Sequence, residues 1–264
     1  MLRLGSLVRV RHINCGTFKT RFGGPPLVSH VLVCEFDHGV LLVDSGVGVA
    51  DVTHATARLG TGFRLLLPAL DTAETALEQL KALGYSAGDV KDIVLTHLDL
   101  DHAGGAVDFP AATVHTTATE LSSALTRNDM VARVRYREPH LAAVKDRTTG
   151  YDDYSEELFG FTSHALHDSL RLIPMPGHTA GHSAVAVRDP ERGWLLHAGD
   201  AFHHRRALTG ERSGIAIAAA EMVFADDRNL LRANQRRLAQ LVRLPKSPQI
   251  FCAHDPIQFR KLAP

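Results

Sequence analysis

Residues 96–105 read THLDLDHAGG, which places two histidines and two aspartates within six consecutive positions. The three residues before this stretch are apolar and branched, as is typical of a buried strand. Side chains alternate in an extended chain, so His97, Asp99 and Asp101 share one face, and His102 joins them if the chain turns there. Imidazole and carboxylate groups are ligands for divalent metals. The stretch therefore predicts a metal site at the end of a strand.

The composition indicates one large α/β domain spanning residues 1–264. The chain is 45% hydrophobic, enough for a single large core. Lysine plus arginine and aspartate plus glutamate both number 29, so no basic excess attracts nucleic acid or an anionic membrane. We expect neither as a partner.

The amino-terminal sequence and the cysteines predict a cytoplasmic protein. Three arginines in the first eleven residues interrupt any apolar core that export or membrane insertion would need. Cys15, Cys34 and Cys252 are odd in number and form no CxxC pair, which favours buried thiols over disulfides or thiolate zinc ligands.

Strand and helix patterns alternate along the chain. A helix is predicted from Asp71, with Glu74 at the capping-box spacing, to Gly84. Residues 126–163 are charged, aromatic and irregular, which favours a lid or substrate loop. Two further helices are predicted at residues 117–125 and 230–242. Strands are predicted at residues 8–14, 29–35, 40–44, 92–96, 112–115, 170–175, 183–188, 194–198 and 249–253.

Three of the later predicted strands also end in a turn that carries a possible ligand. His178 follows Pro-Gly, Asp200 follows His-Ala-Gly, and His254 precedes Asp-Pro. Strand ends on one rim of a sheet can converge. Together with the first stretch they make seven potential ligands, enough for two metal ions that each keep an open position for water.

On these residues the chain resembles the metallo-β-lactamase superfamily. The first motif of that superfamily reads His-x-His-x-Asp-His, and its later ligands are a His, an Asp and a His at separated strand ends. The segments PGHTAGHS at 176–183, HAGDA at 197–201 and HDP at 254–256 extend the resemblance, as does Asp44-Ser45-Gly46. It implies a four-layer αβ/βα sandwich, two sheets packed between outer helices, with the metals at one edge.

The resemblance also implies a ligand set and a cofactor. The cofactor is two divalent ions, zinc first, with a metal-bridging hydroxide as nucleophile. Asp99 stands where most of the superfamily has a second histidine, so iron or manganese also enters consideration. A first site that is weak or empty, with Asp99 not a ligand, stays open. The implied ligands are His97, Asp99 and His178 for the first metal, Asp101, His102 and His254 for the second, and Asp200 as the bridge.

For some residues near these ligands we predict a catalytic or supporting role. His203 lies three positions after Asp200, near where lactone-cleaving members carry a tyrosine, so it either donates a hydrogen bond to the substrate oxyanion or forms a pocket wall. Asp101, Asp200 and His203 are therefore the catalytic candidates. Asp44 is expected to orient a ligand histidine or fix its turn, and His182 to act from behind the ligands.

The expected reaction is hydrolysis of a small molecule without a covalent enzyme intermediate. The chain has no GxSxG elbow and no P-loop. Residues 71–105 and the closing HDP resemble the lactonase branch most, so a lactone or carboxylic ester is the first substrate class expected. The apolar run at residues 63–68 either lines a pocket for an acyl chain or packs inside the protein. Three alternatives remain: a phosphodiesterase or thioesterase, an iron redox enzyme, and a binding module. The redox alternative arises because the flavodiiron proteins of this superfamily carry a carboxylate at the position of Asp99. A homodimer stays open.

Overall fold

Two β-sheets of six strands each form the framework that carries the site. The computed structural model describes residues 1–19, 26–60, 63, 68–210 and 221–263. The first sheet follows chain order: β1 (Leu7–Phe18), β2 (Leu27–Phe36), β3 (Gly39–Val43), β4 (Val90–Val94), β5 (Thr113–Thr117) and β6 (Thr148–Tyr151). The second runs in the reverse order, from β12 (Gln249–Phe251) through β11 (Gly193–His197), β10 (Ser183–Asp189), β9 (Leu170–Pro174) and β8 (Phe161–His167) to β7 (Glu156–Leu158).

Helices connect the strands and cover the outer faces of both sheets. Short 3₁₀ turns occur at Thr72–Glu74, Ala87–Asp89, Gly104–Asp108 and Lys145–Arg147. The helices of the described residues are α1 (Val49–Thr53), α2 (Ala55–Leu59), α3 (Ala76–Ala82), α4 (Leu100–Ala103), α5 (Ala118–Thr126), α6 (Met130–Arg135), α7 (Glu138–Val144), α8 (Arg206–Thr209), α9 (Arg228–Leu241) and α10 (Pro256–Leu262).

Alternation along the strands divides the apolar side chains into three packed layers. In β3, Leu41 and Val43 face the second sheet, whereas Val40 and Leu42 face the helices. Both faces are therefore buried, as expected for strands with helices on one side and a sheet on the other. Between the sheets lie Leu32, Val94, Leu172, Val185, Leu195 and Phe251; Leu80, Ala124 and Leu141 cover the first sheet, and Leu238 and Leu241 cover the second. The predicted αβ/βα sandwich is confirmed.

Strand direction brings the ligand-bearing turns to common edges. Strands β3, β4 and β5 are parallel, so the turns that follow them leave the first sheet at one edge. In the second sheet β10 is antiparallel to both β9 and β11, and β11 is parallel to β12. The carboxyl ends of β9, β11 and β12 therefore also share one edge, where the turns containing His178, Asp200 and His254 begin.

The helix predicted from Asp71 begins later than the capping-box spacing indicated. Asp71 accepts a hydrogen bond from the Ala73 amide and caps only a 3₁₀ turn. Thr75 is extended, and its hydroxyl accepts from the Glu78 amide, so α3 begins at Ala76. Two successive caps compete for one helix start here, and the second prevails because Thr75 breaks the helical backbone. The predicted stop at Gly84 is confirmed, with φ of +90°.

The prediction that residues 126–163 are irregular is wrong. This segment contains α6, α7, β6, β7 and the start of β8, and it carries the chain from the first sheet to the second. The two helices are of six and seven residues, too short for their periodicity to stand out in the sequence. A role as a lid stays a prediction, and α6 does reach the candidate site.

Among the described residues, no helix combines the length and the apolar character that crossing a bilayer requires.

The apolar run predicted to line an acyl pocket is described only in part. Residues 65–67 lie outside the described residues. Phe63 is buried beside Phe18, Leu59 and Leu100, so at this position the packing role is present.

Candidate metal centre

The first ligand-bearing segment leaves β4 and turns at once into α4. His97 is fully buried in the turn, and Asp99 is the residue directly before α4. Asp101 and His102 belong to the helix itself. The chain therefore turns over between Asp99 and Asp101, which is the condition under which His102 was predicted to join the others.

Asp200 lies at the centre of the predicted ligands. Its Oδ1 is 3.4 Å from His102 Nε2 and 3.1 Å from His254 Nε2. Its Oδ2 is 3.5 Å from His178 Nε2 and 3.9 Å from His97 Nε2. One carboxylate thus contacts imidazoles on two sides, although His254 Nε2 is almost as close to Oδ2, at 3.2 Å, as to Oδ1.

All seven predicted ligands converge, although they come from four separate turns. Asp99 Oδ2 is 3.4 Å from His97 Nε2, and Asp101 Oδ2 is 3.8 Å from His254 Nε2. Three trios have ligand atoms within 4.8 Å of one another: His97, Asp99 and His178; His97, His102 and Asp200; and Asp101, His102 and His254.

Unpaired buried atoms in this cluster fit divalent ions. His97 Nε2 and Asp99 Oδ1 are buried and have no hydrogen-bond partner within the described part of the chain, and His102 Nε2 and Asp200 Oδ1, also without a hydrogen bond there, make only ion-pair contacts. A buried polar atom left unpaired costs about 1–3 kcal/mol, and a divalent ion held by these atoms would remove that cost. Imidazole nitrogen and carboxylate oxygen are the donors that zinc, iron and manganese accept. The residues present therefore fit a metal centre.

The charges of the cluster are distributed unevenly. Burial lowers the pKa of His178 to about 3, so its imidazole is neutral. Burial disfavours the charged forms of His254 and Asp200 too, but each stabilises the other: the Asp200 carboxylate raises the pKa of His254 to about 9, and the imidazoles hold the pKa of Asp200 well below its usual range. Against its own burial, the pKa of His102 is likewise raised well above its usual value by Asp200, Asp44 and Asp101.

We expect zinc binding to release protons at pH 7.5, because His254 and His102 are protonated in the metal-free chain and a ligand imidazole must be neutral. The contribution of His254 disappears as the pH rises through about 9, where the imidazole is already neutral. Calorimetric zinc titrations in two buffers of different ionisation enthalpy measure the number of protons. Equal heats in both buffers at pH 7.5 would contradict the assignment of His254 and His102 as ligands.

Three contacts hold the predicted ligands from behind. Asp44 Oδ2 is 2.9 Å from His102 Nδ1, and Asp44 Oδ1 accepts from the Thr96 amide at 2.8 Å. His254 Nδ1 donates to the Val28 carbonyl at 2.8 Å. His182 is not a ligand in this geometry, because its Nε2 accepts the Asp200 amide at 2.9 Å. Asp44 thus makes both contacts proposed for it from the sequence, to a ligand histidine and to the turn.

Replacing Asp44 with alanine should weaken zinc binding by about 10–100-fold, because His102 loses the acceptor that fixes its ring. Zinc affinity measured by competition with a chelator checks this. Asp92→Ala is the matched control: it removes a similar buried contact, 2.8 Å to His115 Nε2, within β4 and β5. An equal loss of affinity in both variants would show a general effect on folding.

A buried glutamate joins two of the ligand-bearing turns, and the sequence analysis missed it. Glu120 on α5 accepts from the Leu98 amide at 2.9 Å through Oε1 and from the Thr179 hydroxyl at 2.6 Å through Oε2. Leu98 is next to His97, and Thr179 is next to His178. The amino end of α5 lies directly on Gly181, where a Cβ would be 2.0 Å from the Glu120 nitrogen.

Arg135 is the second residue that the sequence analysis missed. Its Nη1 donates to Asp99 Oδ2 at 2.7 Å and lies 3.0 Å from His178 Nε2. The side chain is only 5% exposed, and Nη2 donates to the Phe224 carbonyl. A guanidinium therefore stands among the ligands assigned to the first metal. A single arginine in a charged segment gives no spacing signal by which to find it.

His203 lies at the rim of the cluster. Its Nε2 is 3.1 Å from Asp200 Oδ2, and its amide donates to Glu221 Oε1 at 2.6 Å. It also forms a trio of possible ligand atoms with His178 and Asp200. The position suits either a hydrogen bond to substrate or a contact with a metal.

Other histidines and the cysteines lie outside this cluster. His197 is fully buried, donates through Nε2 to the His30 carbonyl at 2.7 Å and accepts the Gly199 amide, so it packs as expected. The prediction of buried thiols is confirmed, since Cys15, Cys34 and Cys252 are all free and buried.

Known proteins match the chain along most of its length. Residues 24–254 match the family model of the metallo-beta-lactamase superfamily. The chain is 43% identical over 258 residues to a "probable metallo-hydrolase" of Mycobacterium tuberculosis, covering 96% of this chain and 82% of the relative. It is 26% identical over 223 residues to an N-acyl homoserine lactonase of Bacillus thuringiensis, covering 84% and 78%. A solved N-acyl homoserine lactone hydrolase, with the product N-hexanoyl-L-homoserine at its catalytic metal center, has a TM-score of 0.71 at 22% identity, covering 97% and 96%.

Proposed function

Because the chain belongs to the metallo-beta-lactamase superfamily, we propose that it is a metal-dependent hydrolase that opens lactones, with carboxylic esters as the next substrate class. The observation that carries this proposal is the buried cluster of donor atoms around Asp200, several of them without a partner in the described part of the chain. The proposed ligands are the seven residues His97, Asp99, Asp101, His102, His178, Asp200 and His254.

The chain's own residues would orient the reactants around this centre. Two divalent ions held there would supply an activated water and a positive field for the carbonyl oxygen of the substrate. Asp101 is the more exposed of the two catalytic carboxylates, at 18% against 5% for Asp200. It would therefore take a proton from the attacking water and pass it to the leaving alkoxide of the substrate. His203 Nε2, which is 3.1 Å from Asp200 Oδ2, would donate to the developing oxyanion once its contact with Asp200 is released.

Apolar side chains beside His254 are compatible with an acyl compound as substrate. The Phe18 ring lies 6.5 Å from the His254 ring, edge to face, and packs against Phe63 at 5.8 Å. Leu100, which follows Asp99, belongs to the same cluster. These side chains are buried against one another, so they pack beside the site and make its surroundings apolar. The likeness to a lactonase of Bacillus thuringiensis favours the same class.

A panel of acyl lactones, aryl esters, thioesters and phosphodiesters, tested on the zinc-loaded chain, decides the substrate class. We expect the highest kcat/KM for lactones, followed by esters. Chain treated with a chelator serves as the control for metal dependence. A higher kcat/KM for a phosphodiester or a thioester would overturn the proposal of a lactonase.

Asp99 gives a second candidate function, an iron redox enzyme on the same fold. A carboxylate in place of an imidazole makes the first site a harder ligand set, which suits iron or manganese as well as zinc. Metal analysis of the chain purified without added metal separates the two functions. Two iron atoms per chain together with turnover of dioxygen or peroxide would favour the redox enzyme over the hydrolase.

A further inference from the structure

The positively charged side chain of Arg135 lies among residues that are proposed to bind a positively charged metal ion. It points from the last turn of α6 into the trio of His97, Asp99 and His178. A single nitrogen, Nη1, reaches both Asp99 Oδ2 at 2.7 Å and His178 Nε2 at 3.0 Å. The Phe224 carbonyl holds the other nitrogen, so the guanidinium is fixed from both ends. The contact to Asp99 and the contact to His178 have different consequences for a metal.

At His178 the guanidinium and a metal ion exclude each other. Arg135 Nη1 can only donate, so His178 Nε2 accepts from it with its single lone pair, and the 3.1 Å contact of the same Nε2 with Asp99 Oδ2 then carries no hydrogen. That lone pair accepts the Arg135 N–H or binds a metal, but it cannot do both. Asp99 is different, because its Oδ1 remains buried and unpaired while Oδ2 accepts from Arg135. The first site therefore lacks one of its three ligands while Arg135 stays in place.

A permanent positive charge stands at the first site. At the first site the competing charge is a guanidinium, which keeps its proton at any pH the folded protein survives. Asp99 raises the pKa of Arg135 further, against the effect of burial. Metal at the first site must displace or tolerate a permanent positive charge.

We propose that Arg135 is an internal cation that competes with the first metal ion for His178, so that the chain binds its second-site metal tightly and its first-site metal weakly. This inference rests on the metal binding in the proposed function and adds an order of loading to it. Arg135 is a positioning residue here, since it acts through Asp99 and His178.

The experiment is stepwise removal of zinc from the loaded chain. A chelator of known zinc affinity is titrated in, and zinc remaining per chain is measured by mass spectrometry together with chelator absorbance. The wild-type chain should lose one ion at about 10-fold or more lower chelator concentration than the other. In Arg135→Gln the weakly held ion should become about 10-fold tighter, and the tightly held ion should change less than about 2-fold.

Two further variants complete the test. Arg133→Gln is the matched control, because Arg133 is exposed on the same helix and its loss removes the same charge from the chain; both dissociation constants should stay as in the wild type. His178→Ala leaves Arg135 intact and should abolish only the weakly held ion. It also keeps the inference testable if Arg135→Gln does not fold.

Each outcome supports or overturns the inference. Two ions held equally tightly in the wild type, no change of the weak constant in a folded Arg135→Gln, or loss of the tight ion in His178→Ala would each overturn it. Stepwise zinc release without hydrolysis of any substrate in the panel would leave it standing and defeat the proposed function. Lactone hydrolysis by a chain with two equally tight ions would support the proposed function and overturn the inference about Arg135. A chain that binds no zinc would overturn the proposed function and the inference together.

Discussion

Asp200→Ala should lower kcat/KM for lactone hydrolysis by at least about 1000-fold, since the loss of about 4 kcal/mol of transition-state stabilisation corresponds to three decades in rate. Asp200 is the carboxylate that contacts imidazoles on both sides of the cluster, 3.1 Å from His254 and 3.5 Å from His178. Its removal affects both sites at once. Steady-state hydrolysis of the lactone with the highest rate measures the effect, and zinc per chain should fall in parallel.

Asp168→Ala is the control for this variant, because Asp168 is an exposed aspartate in the turn between β8 and β9. Its rate and zinc content should match those of the wild type. A rate for Asp200→Ala within about 10-fold of the wild type, with zinc retained, would contradict both the catalytic role and the bridging role of Asp200.

Gly181→Ala should cost about 3 kcal/mol of folding stability, the upper part of the usual range for overpacking. A Cβ at this position would lie 2.0 Å from the nitrogen and 2.4 Å from the Cα of Glu120. These are backbone atoms, so no side chain can rotate away, and the amino end of α5 must shift. For a chain of this size the loss corresponds to a fall in Tm of about 6–12 °C, measured by thermal unfolding.

Gly88→Ala provides the comparison, because the nearest atom to its Cβ would be Ser86 Oγ at 3.7 Å. Its Tm should stay close to that of the wild type. Zinc affinity should also fall in Gly181→Ala, because Glu120 holds Leu98 and Thr179 beside two ligands. A Tm within about 2 °C of the wild type would contradict the packing argument.

The parts of the structure that the sequence predicted are those with local signals. Branched residues in short runs marked the strands, and the histidines and aspartates after them stood out because each follows such a run. The position of Asp44 was informative for a similar reason, since it directly follows β3. The convergence of four turns then followed from strand direction, which the resemblance implied and the sheet topology shows.

The parts that the sequence did not predict depend on contacts between distant segments. Glu120 was an ordinary charged residue in a helix until α5 placed it between the turns of Leu98 and Thr179. Arg135 lies 36 residues from Asp99 and 43 from His178. No periodicity links such positions. Short helices such as α6 were also missed, because they are held by tertiary contacts rather than by their own amphipathic pattern.

The meeting of the two sheets at Asp200 has a consequence for how the protein unfolds. His97 and His102 follow the first sheet, whereas His178, Asp200 and His254 follow the second. One ion held by Asp101 and His254 would therefore tie together residues 153 positions apart. Cross-links that close such long loops restrict the unfolded chain strongly. The metal would therefore act as a cross-link between the two sheets, and removing it would make the unfolding of the two sheets less cooperative.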